Sequence, residues 1–431
     1  TAVKPGVGAL LKFFEAAESA GKKVFIIIDE YDHFANDLIA QGTYAGDDSY
    51  RHLVRANGIV RDFYETLKAG SKTVIDRIIL TGVTPIMLDD LTSGFNIANI
   101  LTLDPKYNEI LGFTHGEVNT LMEETGVDRS LINVDMELYY NGYLFHEDGE
   151  HKVFNPAMML YFFYQLLDRG KPPKNIIDLN LKTDYGRMRR LIQNGANRET
   201  LLQIVQNGSI VSTILPQFSI DRMNEEQNFV SLLFYMGMLT IKEEYLFQLK
   251  LVIPNYSIKT VYWEYLLRLI EDSSPELNIE FRTLSEAIYA LAMEGDIHRF
   301  IKYVSQNAFC KLSDHDLQRF DEKYIQVLLL AYLFMSRLYI PMSEYEAVPG
   351  RADIYLQRNP NFPQIKYEWI LELKYCKTDA KEEEVAEKRK KGWEQLQQYA
   401  HSHRLGDRPD MKAALIVFTG KNKFEITEYT P

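Results

Sequence analysis

Gly350-Arg-Ala-Asp353-Ile-Tyr-Leu356, followed by Glu368-Trp-Ile-Leu-Glu372-Leu-Lys374, decides how the C-terminal part of the chain is read. Both pieces alternate apolar and polar residues, the period-two pattern of a β-strand. Gln357-Arg-Asn-Pro-Asn-Phe-Pro363 lies between them, is rich in turn formers and predicts a hairpin loop. A period of two puts Glu372 and Lys374 on one face of their strand. Antiparallel pairing brings Asp353 to the same face. Two carboxylates and an ammonium then converge, enough to hold a divalent cation, activate a water and neutralise charge on a phosphodiester. The competing reading is a charge pair of Glu372 and Lys374 on a solvated sheet face.

An Asp ahead of Glu-x-Lys on adjacent strands resembles the PD-(D/E)XK nuclease superfamily. The resemblance implies Asp353 and Glu372 as ligands of Mg²⁺ or Mn²⁺, with Lys374 beside the attacking water or the scissile phosphate. It also implies a carboxylate from the preceding helix, for which Asp321-Glu322-Lys-Tyr-Ile-Gln326 offers Glu322. A glutamine on the following helix is matched by Gln395 in Trp393-Glu-Gln-Leu-Gln-Gln-Tyr399. The strand Ala413-Ala-Leu-Ile-Val-Phe418 completes a helix–hairpin–helix–strand order. That order, more than the short motif, supports a restriction-endonuclease-like α/β domain with its linker helix over residues 276–431.

With 431 residues, 46% of them hydrophobic and 25% charged, the chain has material for two to four globular domains. No apolar run reaches the length of a membrane span. Ala157–Tyr164 and Val327–Phe334 read as buried helix segments. The opening residues do not read as a signal peptide. Cys310 and Cys376 provide no disulfide framework, read as packing residues, and suit a reducing cytoplasm. The net charge of −12 argues against a broad grip on nucleic acid, while leaving room for a local basic channel. Lys388-Arg-Lys-Lys391 follows Glu382-Glu-Glu384, and Glu384 with Lys388 and Glu387 with Lys391 stand one helical turn apart. This predicts a salt-bridged, exposed helix face.

Val24-Phe-Ile-Ile-Ile-Asp29-Glu30 is a continuous apolar run ending in two acids, as expected of a strand buried on both faces of a parallel sheet. The helix Ala9–Ala17 precedes it, and Asp76-Arg-Ile-Ile-Leu-Thr81 predicts a second buried strand. The first run resembles a Walker B strand, which implies that Asp29 holds Mg²⁺ of bound ATP, Glu30 polarises the attacking water and Thr81 senses the γ-phosphate. Ile28-Asp-Glu-Tyr-Asp32, Thr81-Gly-Val-Thr-Pro-Ile86, Ser93-Gly-Phe-Asn96 and Leu111-Gly-Phe-Thr114 are similar to a predicted AAA-ATPase-like family commonly fused to a PD-(D/E)XK domain. Tyr140-Asn-Gly-Tyr143, Phe154-Asn-Pro156, Gly237-Met-Leu-Thr240 and Ile253-Pro-Asn255 extend the resemblance in order. No Gly-x-x-x-x-Gly-Lys-[Ser/Thr] is present; Pro5-Gly-Val-Gly8 lacks the Lys that reaches phosphate. In the family a P-loop precedes the Walker B strand. The expectation is therefore a fragment beginning inside an ATPase core, unable by itself to hydrolyse ATP.

The resemblance further implies a partial ATPase core over 1–115, a small helical lid over 116–180 and a winged-helix region over 181–275. Asp148-Gly149 predicts a hairpin across Tyr143–Phe154, with His146 and His151 as surface residues. From Asn228 the pattern is helix, strand (238–241), strand (249–253) and helix, and Leu284–Met293 is an amphipathic connecting helix. Glu225, Glu226, Glu243 and Glu244 make the wing a structural or partner-binding element rather than a DNA reader. Linkers are placed at Asp272–Pro275 and Gly170–Pro173. The combined expectation is a multidomain α/β protein cutting nucleic acid, DNA rather than RNA, under ATPase control; the alternative is a nucleotide-regulated scaffold, or a DNA- or partner-binding protein, with a catalytically silent nuclease fold.

Overall fold

The computed structural model describes residues 5–33, 58–86, 95, 97–132, 134–173, 175, 177–178, 195–219, 222–273, 280–311, 322–347, 350–402, 408–421 and 423–429. The chain divides into two compact units, Thr1–Ile132 with Met136–Lys259, and Asn133–Asp135 with Thr260–Pro431. No helix among the described residues is long and apolar enough to cross a membrane.

The first unit opens with α1 (Pro5–Ser19), β1 (Val24–Ile28), α2 (Ile59–Gly70) and β2 (Ile75–Leu80). β1 and β2 pair in parallel, as their apolar runs predict. Phe14 of α1 and Ile75 of β2 close to within 3 Å of the place where a Cβ at Gly70 would stand, so only glycine fits there. The expectation of burial on both faces fails. Phe25, Ile27 and Ile79 are 62%, 72% and 51% exposed, while Val24, Ile26 and Ile28 are partly shielded. Cover among the described residues thus reaches one face of this two-stranded sheet. Of Ser93–Asn96 only Phe95 is described, edge-on to Tyr64; the rest lies outside the described residues.

Next come α3 (His115–Thr125), α4 (Met136–Tyr140) and α5 (Pro156–Arg169). Thr114 and Glu117 form a reciprocal capping box that starts α3, and Gly126 ends it in the left-handed conformation. The predicted hairpin over Tyr143–Phe154 is reduced to single bridges, Tyr143 to Val153 and Phe113 to Phe154. Side chains capture the backbone groups that a ladder would need. Asn108 donates to His151 O (2.8 Å) and accepts from Phe145 N (2.9 Å), while Leu144 N donates to Thr240 Oγ1 (2.7 Å). His151 is exposed as expected, but His146 is half-buried. α5 buries Met158, Met159, Phe162, Phe163 and Leu166, as its apolar run requires.

α6 (Gly195–Asn207), β3 (Ser209–Ser212), α7 (Glu226–Tyr235), β4 (Thr240–Tyr245) and β5 (Gln248–Val252) complete the series, and α8 (Tyr256–Ser273) begins in this unit and belongs to the second from Thr260 on. The strands form an antiparallel sheet in the order β3-β5-β4. The helix–strand–strand–helix order expected from Asn228 is present; β3 is an addition. The expected boundary at 180/181 and the linker residues Ser274 and Pro275 lie outside the described residues.

In the second unit α9 (Phe281–Tyr289) passes into a π-helical turn at Ala290–Glu294, followed by α10 (Ile297–Asn307) and α11 (Glu322–Ser336). Then come β6 (Tyr339–Ala347), β7 (Gly350–Arg358), β8 (Glu368–Cys376), α12 (Glu382–Ser402), β9 (Met411–Thr419) and β10 (Lys423–Glu428). The sheet order is β10-β9-β8-β7-β6. β8 and β9 are parallel, joined through α12, and the other neighbours are antiparallel. Such a mixed sheet is compatible with a restriction-endonuclease-like fold. α12 covers one face through Leu396, Tyr399 and Ala400 against Tyr355, Ile370, Ala413 and Leu415. Trp369, fully buried, donates to Leu291 O from the opposite face. β8 is therefore buried almost along its whole length, and a solvated charge pair at Glu372 and Lys374 is ruled out. Cys376 is buried, but Cys310 is exposed, contrary to its reading as a packing residue.

β4 and β5 are joined at Leu246 and Phe247, with φ of 46° and 66°. A two-residue hairpin with both central residues left-handed favours Asn-Gly, and each bulky residue held there costs about 1–2 kcal/mol. Phe247 is 95% exposed and recovers nothing by packing. The double substitution Leu246→Asn with Phe247→Gly should raise the urea unfolding midpoint, by about 1–2 kcal/mol in stability. An unchanged or lowered midpoint would contradict this.

Candidate active site

The β7–β8 ladder pairs Leu356 with Trp369, Tyr355 with Ile370 and Ile354 with Leu371, and there it stops. The next opposed positions are Asp353 and Glu372, which this register assigns to one face. Asp353 Oδ2 accepts from Leu373 N at 2.7 Å, so a carboxylate stands where a backbone carbonyl would continue the ladder. The strands part at the two acids. Lys374 Nζ donates to Glu372 Oε1 (2.7 Å) and to Leu373 O (3.0 Å). Glu322, in the first turn of α11, lies 3.5 Å from the same ammonium and accepts from Tyr375 N at 3.3 Å. Asp353, Glu372, Lys374 and Glu322 are thus brought together; Asp321 lies outside the described residues.

α12 walls the site. A Cβ at Gly392 would meet Leu415 Cδ1 at 2.6 Å and Lys374 Cγ at 3.0 Å, so glycine there lets the lysine stem lie against the helix. Gln395 follows one turn later, and its Oε1 is buried without a hydrogen-bond partner. Tyr399, one further turn along, donates to Arg351 O at 2.6 Å and fixes the start of β7. Lys388 lies 3.6 Å from Glu384, the predicted helical pair, and also donates to Tyr375 O at 2.8 Å. Arg389 pairs with Glu425.

Glu372 is 1% exposed. Burial first, then the facing Asp353, push its carboxyl up to about 8, against the charge and hydrogen bond of Lys374. Burial opposes the charge of Lys374, but Glu372, Asp353 and Glu322 outweigh it and hold the ammonium above the ordinary lysine range. Burial, Glu372 and Asp353 raise the Tyr399 hydroxyl to about 12. The site is short of positive charge.

The donor chemistry fits a hard divalent cation. Glu372 Oε2 is buried without a hydrogen-bond partner, and carboxylate oxygens are the ligands that Mg²⁺ and Mn²⁺ prefer. No group of three or more His, Cys, Asp or Glu among the described residues is arranged to hold a metal. Two carboxylates are nevertheless the usual protein share at Mg²⁺, the remaining positions going to water and phosphate oxygens. The sequence reading passed over Tyr399, Gly392 and Gln326. Gln326 donates to Asp353 O at 2.6 Å and stands one turn from Glu322, a spacing that marked it as sharing that helix face.

In the first unit, Thr81 Oγ1 donates to Asp29 Oδ1 at 2.5 Å, so these two predicted residues meet at the strand ends. The side chain of Glu30 does not join them, although the residue's amide donates to Asp29 Oδ1 at 3.0 Å. Its φ of 52° is left-handed and its side chain is exposed, 3.5 Å from His33. Asp32, given no role from sequence, is 1% exposed and accepts from Val83 N (3.2 Å), Thr84 N (2.6 Å) and Thr84 Oγ1 (2.8 Å). Thr81-Gly-Val-Thr84 carried the signal, because a Cβ at Gly82 would stand 2.4 Å from Asp32 Oδ1. Asp32 is a tie between two strand ends rather than a ligand. A phosphate cradle is lacking among the described residues, so this group does not fit ATP by itself.

Comparison with known proteins agrees with both halves. Residues 8–92 match the family model described as "Predicted AAA-ATPase", and residues 320–428 match that of the PD-(D/E)XK nuclease superfamily. An uncharacterized protein in the vnfD 5' region of Azotobacter chroococcum mcd 1 is 27% identical over 151 residues, 35% of this chain. The match spans about a quarter, 26%, of that relative's length. No solved structure matches the chain at a significant level.

The raised Glu372 carboxyl has a consequence for stability. The folded chain keeps a proton that the unfolded chain releases above the ordinary value of 4.5. Its contribution is complete below that value and is lost as pH rises through about 8. In chelator, Glu372→Gln should gain stability over the parent between pH 5 and 8, by at most about 1.4 kcal/mol per pH unit. Denaturant curves that track each other across this window would contradict the assignment.

Proposed function

We propose that the second unit hydrolyses phosphodiester bonds of nucleic acid, with Mg²⁺ or Mn²⁺ held by Asp353 and Glu372. The observation that carries the reading is the parting of β7 and β8 at two facing carboxylates, one with a buried, unpartnered oxygen, beside a lysine. When bound, the cation supplies Lewis-acid stabilisation of the phosphate and acidifies a water. Lys374 stays charged at neutral pH and, turned from Glu372, neutralises charge growing on the phosphate oxygens. Glu322 steadies that ammonium from α11. Gln395, with a spare amide oxygen, is the candidate to orient a water. DNA rather than RNA is assigned on the family resemblance alone.

Control by ATP belongs to the whole protein and rests on the ATPase-like match. With a P-loop supplied, Asp29 would hold Mg²⁺ and Thr81 would read the γ-phosphate, leaving Glu30 to polarise water. The β3-β5-β4 sheet with its flanking helices supports a winged helix. A reducing cytoplasm suits a chain whose two cysteines give no disulfide framework.

A second reading is favoured by charge. The chain carries −12, and Glu243 and Glu244 are exposed beside the β4–β5 tip. On that reading the wing binds a protein and the nuclease fold serves as a catalytically silent, nucleotide-regulated scaffold.

Cleavage decides between them. Plasmid and single-stranded oligonucleotides incubated with Mg²⁺ or Mn²⁺ should be cut, and chelator should stop it. Lys374→Met and Asp353→Asn should each lower the rate at least about a hundredfold with the fold intact. Cutting by Lys374→Met at the parent rate rejects the site. No cutting of any substrate, with stable capture of a defined protein partner, supports the scaffold.

A further inference from the structure

α11 is buried from Ile325 to Phe334, and Gln326 is the one amide in that otherwise apolar run. An amide in such a place is costly unless it is hydrogen-bonded. Gln326 Nε2 donates to Asp353 O at 2.6 Å, at the residue where the β7–β8 ladder has ended. One turn earlier on the same helix, Glu322 accepts from Tyr375 N of the opposing strand. The helix therefore takes one backbone group from each strand beyond the end of the ladder, from Asp353 at its end and from Tyr375 three residues past Glu372. Asp353 is gripped at both ends, its carbonyl by Gln326 and its carboxylate by Leu373 N. Interrupting a ladder strands polar backbone groups, and buried ones must find other partners. Without the amide, the simplest recovery is for β7 to close on β8 and press Asp353 toward Glu372.

We propose that Gln326 is a positioning residue that keeps the Asp353 carboxylate apart from Glu372 at the spacing a divalent cation needs. The inference rests on the proposed metal site and adds to it a group that touches neither metal nor substrate.

The test uses Mn²⁺ alone, without nucleic acid, with affinity measured by titration calorimetry or by the electron paramagnetic resonance signal of free Mn²⁺. Gln326→Met keeps the side-chain volume and removes the donor. It should bind Mn²⁺ about tenfold to a hundredfold more weakly than the parent, with a thermal midpoint close to the parent's. Combined with Asp353→Asn it should bind no more weakly than Asp353→Asn alone, since the two act through one carboxylate. Gln326→Leu, also without a donor, should show the same loss and serves if the methionine variant does not fold. Parental affinity in Gln326→Met, with binding lost in Glu372→Gln, overturns the positioning role and leaves the metal site standing. A parent chain that binds no Mn²⁺ overturns both. Misfolding of both Gln326 variants makes the residue a core element and also overturns the proposal.

Discussion

A carboxylate that takes a backbone N–H is the constraint on which the site depends. Asp353 Oδ2 receives the Leu373 amide at 2.7 Å, so the antiparallel ladder ends one residue short of Asp353 and Glu372. Had the ladder run on, the two acids would face each other as a like-charge pair on adjacent strands, an arrangement that destabilises a sheet. Parting the strands converts that liability into a gap. Lys374 fills part of it and offsets part of the charge, but Glu372 remains buried with one oxygen unpaired. A group so placed is poor for stability in the apo protein and fits the role of awaiting a cation.

The surrounding helices exist in the form they do because β8 is covered on both faces. α12 reaches close enough to Lys374 only because position 392 is glycine. α11 supplies Glu322 and Gln326 from successive turns. At the other end of β8, Glu368 is also buried but fully engaged, accepting from Tyr355 Oη, Arg358 N and Arg408. The contrast between Glu368 and Glu372 is instructive. Two glutamates on one strand are both buried, and only Glu372 is left without a full set of partners.

Much of this could be read from residues alone. Period-two alternation located β7 and β8, and the turn formers at 357–363 located their loop. Asp353, Glu372 and Lys374 meet because strand register follows from that period. β6 and β10 went unread: Tyr339-Ile-Pro-Met carries a proline, and Lys423–Glu428 is too short and polar to stand out. Burial of β8 was also hidden, because Glu-x-Lys in a strand looks solvated until both covering helices are in place. The hairpin expected at Asp148-Gly149 is cut down to the Tyr143–Val153 bridge for a non-local reason. Asn108, far away in sequence, satisfies the groups that the ladder needed. In β1, apolar content correctly implied a parallel strand but not which faces are covered.

The two units differ in how far their acids commit to chemistry. In the first, Asp32 has every visible acceptor role filled by Val83 and Thr84, and Asp29 is engaged by Thr81 and the Glu30 amide. Those bonds lock the strand ends without any ligand. In the second, Glu372 is as buried as Asp32, but its carboxyl is raised and the hydrogen bonds around it leave one oxygen over. A net charge of −12 spread over the chain does not bear on this difference, since fields from exposed groups are screened within about 10 Å at moderate salt. What bears on it is local: a buried acid keeps its charge only beside compensating positive charge, and a single lysine shared among Glu372, Glu322 and Leu373 O compensates incompletely. That residual deficit favours the hydrolytic reading of the second unit over a silent scaffold.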